Sequence, residues 1–182
     1  MTPKSYKGIL KRFDKAPKGV RDSLKHLPKL IKEFPLEVSL GYLFSRVERS
    51  QYMTLYCGVV KLHQCDKDVT YSVLQNQHIT RGMFVESFKT VIGVKLDSKI
   101  VSGLRAAEKV RDKIIHGREA KPEEMRMAVI RVIEYAESYN DFVNNHAGFR
   151  PFDSLTGFKG AGKSLSKKST RWILKGMGFS CS

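Results

Sequence analysis

Three residues near the middle of the chain carry side chains suited to phosphodiester chemistry: Arg111, Asp112 and His116. An arginine can neutralise a pentacovalent phosphorane, and a histidine can move protons to or from oxygen near neutral pH. Asp112 and His116 are four residues apart, so on a helix they share one face, and the carboxylate is expected to orient the imidazole. The sequence therefore predicts a site that acts on a nucleic-acid backbone.

A predicted helix positions these residues. Asp97 or Ser98 can cap its start, and Gly117 follows as a stop. Its apolar face recurs at steps of four and three residues: Ile100, Leu104, Ala107, Arg111 and Ile114. Because a guanidinium on such a stripe cannot simply be desolvated, Arg111 needs an anion, a partner subunit or a wet cleft.

The rest of the chain also has helical patterns, so we predict an all-α fold, an up-and-down bundle of four or five helices. A first helix over 18–34 contains Pro28, which is expected to bend or split it. Longer helices follow over 36–65, from the Thr80 cap to Gly93, and from Pro122 to about Val143. Residues 66–79 fit either a short strand or a helical turn.

The net charge of +15 lies mainly in the two ends of the chain. Residues 1–32 hold ten Lys and Arg against two Asp and Glu, and residues 147–182 hold seven against one. We therefore divide the chain into a basic arm with the first helix (1–35), a nearly neutral helical domain (36–146) and a basic C-terminal extension (147–182). Residues 1–18 read as a mobile or draped arm. Such a field predicts a polyanionic partner, in the first place RNA or another nucleic acid.

The segment Arg111-Asp112-Lys113-Ile114-Ile115-His116-Gly117 resembles the signature of the HEPN superfamily of helical domains. That signature is an arginine, a polar residue and a histidine at the end of one bundle helix, just before the next. The resemblance covers roughly residues 36–146 and leaves both basic ends outside. It implies a homodimer in which two copies of the motif form one cleft for metal-independent RNA cleavage. Arg111 and His116 would then be the catalytic pair, and Asp112 the supporting polar residue.

On this interpretation the protein is an endoribonuclease that uses the ribose 2′-hydroxyl as nucleophile and needs no cofactor. A toxin or defence system is its candidate context. Six basic residues are the candidate RNA contacts: Lys113, Arg118, Lys159, Lys163, Lys167 and Lys168. A regulatory partner protein is a further candidate. The alternative is a non-catalytic basic module that binds nucleic acid or a partner protein. Arg111 would then form a salt bridge with Glu108 or another bundle carboxylate.

Other motifs are weaker. Arg21 and His26 repeat the arginine–histidine spacing, but no glycine stop and new helix follow. The segment 157–164 matches GxxxxGKS, yet too little chain remains for a nucleotide-binding sheet, so a local anion nest or a basic linker is preferred. Four residues carry zinc-binding atoms at spacings that match no known ligand loop, so no metal is predicted: Cys57, His63, Cys65 and His78.

The cysteine count and the absence of long apolar runs in the sequence bear on the cellular location. Three cysteines do not suggest a disulfide framework and favour a reducing, cytoplasmic location. No apolar run approaches the ~20 residues that span a bilayer, so no transmembrane helix is predicted and no membrane partner is expected. A membrane-surface protein is a third interpretation, and it depends on the net charge alone. A short closing helix that carries Trp172 is expected near the C-terminus, capped by Ser169 or Thr170. Docking of this helix on the body or on a partner is favoured over base stacking.

Overall fold

The computed structural model describes residues 5–154, 158, 160 and 162–181. Within these residues the chain is helical, without strands, so the predicted all-α class is confirmed. Nine helices are present in this part, where the sequence predicts four or five. They are α1 (Tyr6–Asp14), α2 (Lys18–Ser23), α3 (Leu27–Glu33), α4 (Leu36–Leu62), α5 (Lys67–Gln75), α6 (Arg81–Ile92), α7 (Ser98–Ile115), α8 (Pro122–Ala147) and α9 (Lys167–Gly176).

The chain divides into two compact units, and α4 and α8 supply residues to both. The first unit takes the described residues of Met1–Arg49, Asp97–Phe142 and Phe152–Ser154. The second takes those of Ser50–Leu96, Val143–Pro151 and Leu155–Ser182. The candidate site residues Arg111, Asp112 and His116 belong to the first unit.

The N-terminal residues are part of the first unit's core, which differs from the predicted arm. Ile9 and Phe13 lie one turn apart on α1 and are buried. Between them, Arg12 Nη1 donates to Glu137 Oε1 of α8 at 2.8 Å, and Nη2 pairs with the other carboxylate oxygen. This basic segment is therefore docked by apolar residues at helical spacing together with a charge-assisted ion pair.

Two other uncertain segments are also helical. The helix expected over 18–34 is split into α2 and α3, with Pro28 in the first turn of α3, where a missing N–H costs nothing. The segment 66–79 contains α5, because the Asp66 side chain accepts hydrogen bonds from the backbone N–H groups of Asp68 and Val69. Val69, Val73 and Leu74 are its buried apolar face.

The C-terminal residues pack within the second unit. The predicted cap of α9 is wrong: the helix begins at Lys167, and the hydroxyl of Ser166 accepts the Ser169 N–H. Thr170 is instead buried, and its Oγ1 accepts the Asp66 N–H at 2.9 Å. The indole of Trp172 is 67% exposed, so it does not dock within the unit, although the helix that carries it does.

Candidate phosphodiester site

Helix α7 positions the candidate site and has well-defined ends. The Asp97 carboxylate accepts the Lys99 N–H at 2.7 Å at its start, as predicted. At its end the Gly117 N–H donates to the Ile114 carbonyl, and the Arg118 N–H donates to the Lys113 carbonyl. This is the hydrogen-bond pattern of a Schellman motif, in which Gly117 takes a φ of 67° that other residues disfavour. The helix therefore stops sharply beside His116.

Arg111 is held between α7 and the N-terminal part of α4. Its side chain is only 18% exposed, and its guanidinium carbon lies 4.8 Å from the centre of the buried Phe44 ring. Nη1 forms an ion pair with Glu48 Oε1 at 3.5 Å. The cation is thus stacked on an aromatic face and neutralised by a carboxylate, the two means by which a partly desolvated guanidinium is stabilised.

Asp112 is a second anionic partner of Arg111. Its Oδ1 accepts hydrogen bonds from Arg111 Nε at 3.2 Å and from Nη2 at 3.0 Å. The sequence predicted instead that this carboxylate would orient the imidazole of His116. Arg111 and Asp112 are therefore brought together, and this contact lowers the positive potential that Arg111 presents to an incoming phosphate.

His116 is the C-cap of α7 and its side chain is exposed. Its backbone N–H donates to the Asp112 carbonyl at 3.1 Å. Within the part of the chain that the structure describes, no side chain forms a hydrogen bond or ion pair with its ring. An exposed imidazole at a helix end is able to exchange protons with a ligand that approaches from solvent.

Lys113 and Arg118, two of the predicted RNA contacts, lie in different environments. Lys113 Nζ donates to Glu124 Oε1 at 3.0 Å, and the other oxygen of that carboxylate accepts the Lys121 N–H, also at 3.0 Å. Hydrogen bonding from Lys113, and then from the Lys121 backbone, lowers the pKa of Glu124. Lys113 therefore helps to cap α8, whereas Arg118 is exposed.

The C-terminal candidates are only partly described. Lys159 lies outside the described residues, as do Gly157 and Ala161 of the GxxxxGKS segment. Lys163, Lys167 and Lys168 are exposed, and Lys168 Nζ lies 5.3 Å from the centre of the exposed Trp172 ring. A cation beside an exposed aromatic ring is a combination that can contact a phosphate and stack on a base.

The set-aside motifs have structural surroundings of their own. Arg21 lies in α2 and His26 precedes α3, where its ring packs edge-on against Tyr42. His63 Nε2 lies 2.7 Å from the Val91 carbonyl oxygen, and burial raises the pKa of Cys57 to about 12. Over the described residues, no three His, Cys, Asp or Glu side chains are grouped so that they could hold a metal ion. No helix in this part is long and apolar enough to cross a membrane.

Two cations on the other face of α7 were not among the predicted site residues. Arg105 and Lys109 precede Lys113 at steps of four, so the three form one row along the helix. Arg105 and Lys109 are exposed, and no ion pair to a described carboxylate is found for either. The four-residue spacing of these cations is visible in the sequence. That they line a groove depends on the position of α8.

Comparison with protein-family models, with curated proteins and with solved structures finds no match to this chain. The HEPN resemblance therefore depends on the motif at Arg111 to Gly117 and on its position between α7 and α8.

Proposed function

We propose that the protein is a HEPN-like endoribonuclease that acts without a metal, with Arg111 and His116 as its catalytic pair. The observation that supports it is the arrangement at the end of α7, where a partly buried arginine precedes an exposed histidine whose ring no described residue engages. One residue is pre-positioned to receive negative charge, and the other is available for proton transfer. The homodimer, the cytoplasmic location and a regulatory partner belong to the same proposal.

The proposed reaction is attack of a ribose 2′-oxygen on the adjacent phosphorus. The 2′-hydroxyl loses its proton to one imidazole, a new P–O bond forms, and the bond to the 5′-oxygen breaks. A second imidazole protonates that leaving oxygen, so the products are a 2′,3′-cyclic phosphate and a 5′-hydroxyl. Two copies of His116 in a dimer would supply the base and the acid, and Arg111 would stabilise the charge of the phosphorane.

Glu48 has a defined place in this proposal. Because its side chain is 69% exposed while Arg111 is 18% exposed, Glu48 is the partner that can move aside for a phosphate. Phosphate binding would exchange one anion for another at Nη1, leaving the Phe44 and Asp112 contacts in place. Glu48 therefore competes with the substrate for Arg111.

A non-catalytic RNA-binding module is the second candidate, and the same ion pairs favour it. Glu48 and Asp112 already neutralise Arg111, so its role can be to join α7 to α4 within the fold. The exposed cations Arg118, Lys163, Lys167 and Lys168 would then bind RNA without cutting it.

The two candidates are separated by cleavage of fluorescently labelled RNA by wild-type protein and His116→Ala, with and without chelator. The ribonuclease proposal expects cleavage by the wild type, resistance to chelator, and its loss in His116→Ala with RNA affinity unchanged. Equal cleavage by the variant would assign the activity to another site or to a contaminant. Binding without any cleavage by the wild type would favour the non-catalytic module.

A further inference from the structure

A groove of about 680 Å³ runs between α7 and α8 within the first unit. It lies on the side of α7 away from the Phe44 and Glu48 contacts of Arg111. Its charged lining consists of five basic residues and two acidic ones: Arg105, Lys109, Lys113, Lys121, Arg131, Glu123 and Glu124. From this lining we infer that the groove binds the phosphodiester backbone of single-stranded RNA. The inference rests on the proposed function, because it names the surface by which the same domain holds its substrate.

The charge of the groove is not neutralised within the fold. Both oxygens of Glu124 are occupied, by Lys113 Nζ and by the Lys121 N–H. Arg105 and Lys109 remain exposed, and among the described residues no carboxylate pairs with them. An excess of three positive charges therefore faces a concave surface, where an anion is attracted more strongly than on a convex one.

The row of cations has a direction. Arg105, Lys109 and Lys113 are separated by one turn each, about 6 Å along the axis, so their charges form a line rather than a cluster. A linear row fits successive phosphates of one strand better than a single phosphate group. The row leads along α7 toward His116, three residues beyond Lys113, so an RNA held here approaches the candidate catalytic end of the helix.

The floor of the groove indicates a single strand. Ala106, Val110 and Met127 supply apolar surface between the cations. In a single strand the faces of unstacked bases are free to contact such a surface, whereas a duplex offers only its backbone. Neighbouring helices lie about 8–10 Å apart, so a groove between them also excludes the full width of an A-form duplex.

The test measures RNA affinity in a His116→Ala background, so that no substrate is cut. The groove variant carries Arg105→Gln and Lys109→Gln, and the control carries Lys89→Gln and Lys95→Gln. Lys89 and Lys95 are exposed residues outside the groove, so both variants lose the same two charges. Fluorescence anisotropy with a labelled 12-nucleotide RNA is recorded over a series of salt concentrations.

We expect the groove variant to bind about tenfold more weakly than the control. The slope of log affinity against log salt should fall by about 1.4, because two phosphate contacts of a single strand are lost. Equal affinities and slopes for the two double variants would overturn the inference. So would loss of a dimer by the groove variant with RNA affinity retained, which would assign the groove to a second copy of the chain.

The outcomes distinguish this inference from the proposed catalysis. If the wild type never cuts RNA but its RNA binding depends on the groove, the ribonuclease proposal is excluded and the groove inference is supported. If cleavage requires His116 but RNA affinity does not depend on Arg105 and Lys109, the ribonuclease proposal is supported and the groove inference is excluded.

Discussion

The cations on the two faces of α7 lie in opposite environments. On the face toward α4, Arg111 is stacked on Phe44 and paired with Glu48 and Asp112. On the face toward α8, Arg105 and Lys109 line a groove, and no described carboxylate pairs with them. A cation matched inside the fold contributes to stability and to a precise position, whereas an unmatched one contributes mainly to binding an external anion.

The largest effect expected is on cleavage at the end of the helix. His116→Ala should lower the rate of RNA cleavage by about 10²- to 10⁴-fold, the usual contribution of general acid–base catalysis. His26→Ala is the matched control, since His26 follows an arginine at the same spacing but precedes a different helix. A similar loss in both variants would show that the effect is not specific to the α7 motif.

Stability should separate the two arginines of α7. Arg111→Ala should lower the free energy of unfolding by about 1–3 kcal/mol, because it removes the stacking on Phe44 and the charged hydrogen bonds to Asp112. Arg105 is exposed, so Arg105→Ala should change the free energy of unfolding by less than about 0.5 kcal/mol. Urea unfolding followed by circular dichroism gives both values, and equal losses would erase the distinction between the faces.

A smaller effect is expected from freeing Arg111. Glu48→Gln removes the anion that competes with phosphate while keeping the shape of the side chain. Because exposed ion pairs contribute about 0.2–1 kcal/mol, cleavage at limiting RNA should rise by up to about fivefold. Glu37→Gln, an exposed change near the start of α4, should leave the rate unchanged. A fall in the rate of Glu48→Gln would mean that Glu48 assists catalysis.

The smallest expected effect is the dependence of folding stability on pH at acidic pH, through Glu124. The Lys113 hydrogen bond lowers the pKa of Glu124 below its ordinary value of 4.5, so the ionised form stabilises the folded state. This contribution is fully present above the unfolded pKa and is lost as the pH falls through the lower, folded pKa. The difference in unfolding midpoint between wild type and Glu124→Gln should therefore shrink below about pH 4.5. A difference independent of pH would show that the ionised carboxylate is not what stabilises.

The features that could be predicted from the sequence are those with strong local signals. The start of α6 at the Thr80 cap, the Asp97 cap of α7 and the Pro122 start of α8 were all readable, because each depends on residues next to one another in the chain. Helix α1 was missed, and α5 was left open between a short strand and a helical turn. Both contain few apolar residues, and these are informative only when they pack against distant parts of the chain.

The local features of the candidate site could also be predicted from the sequence, whereas its long-range contacts could not. The Arg111–His116 spacing is local and visible, and the need of Arg111 for an anion follows from its place on an apolar stripe. Of its two anionic partners, Asp112 is adjacent in the chain, whereas Glu48 lies sixty-three residues earlier. The contact with Glu48 depends on the packing of α4 beside α7. The groove depends in the same way on the packing of α8, so Arg105 and Lys109 could not be distinguished from other surface cations.

The most direct test of the division between the two faces is a comparison of kcat and KM for RNA cleavage in two variants. We expect His116→Ala to lower kcat by at least 10²-fold while KM stays within about twofold. We expect Arg105→Gln with Lys109→Gln to raise KM about tenfold, so that cleavage at low RNA falls while kcat changes little. If both variants change the same parameter, the two faces of α7 do not have separate roles and the account is wrong.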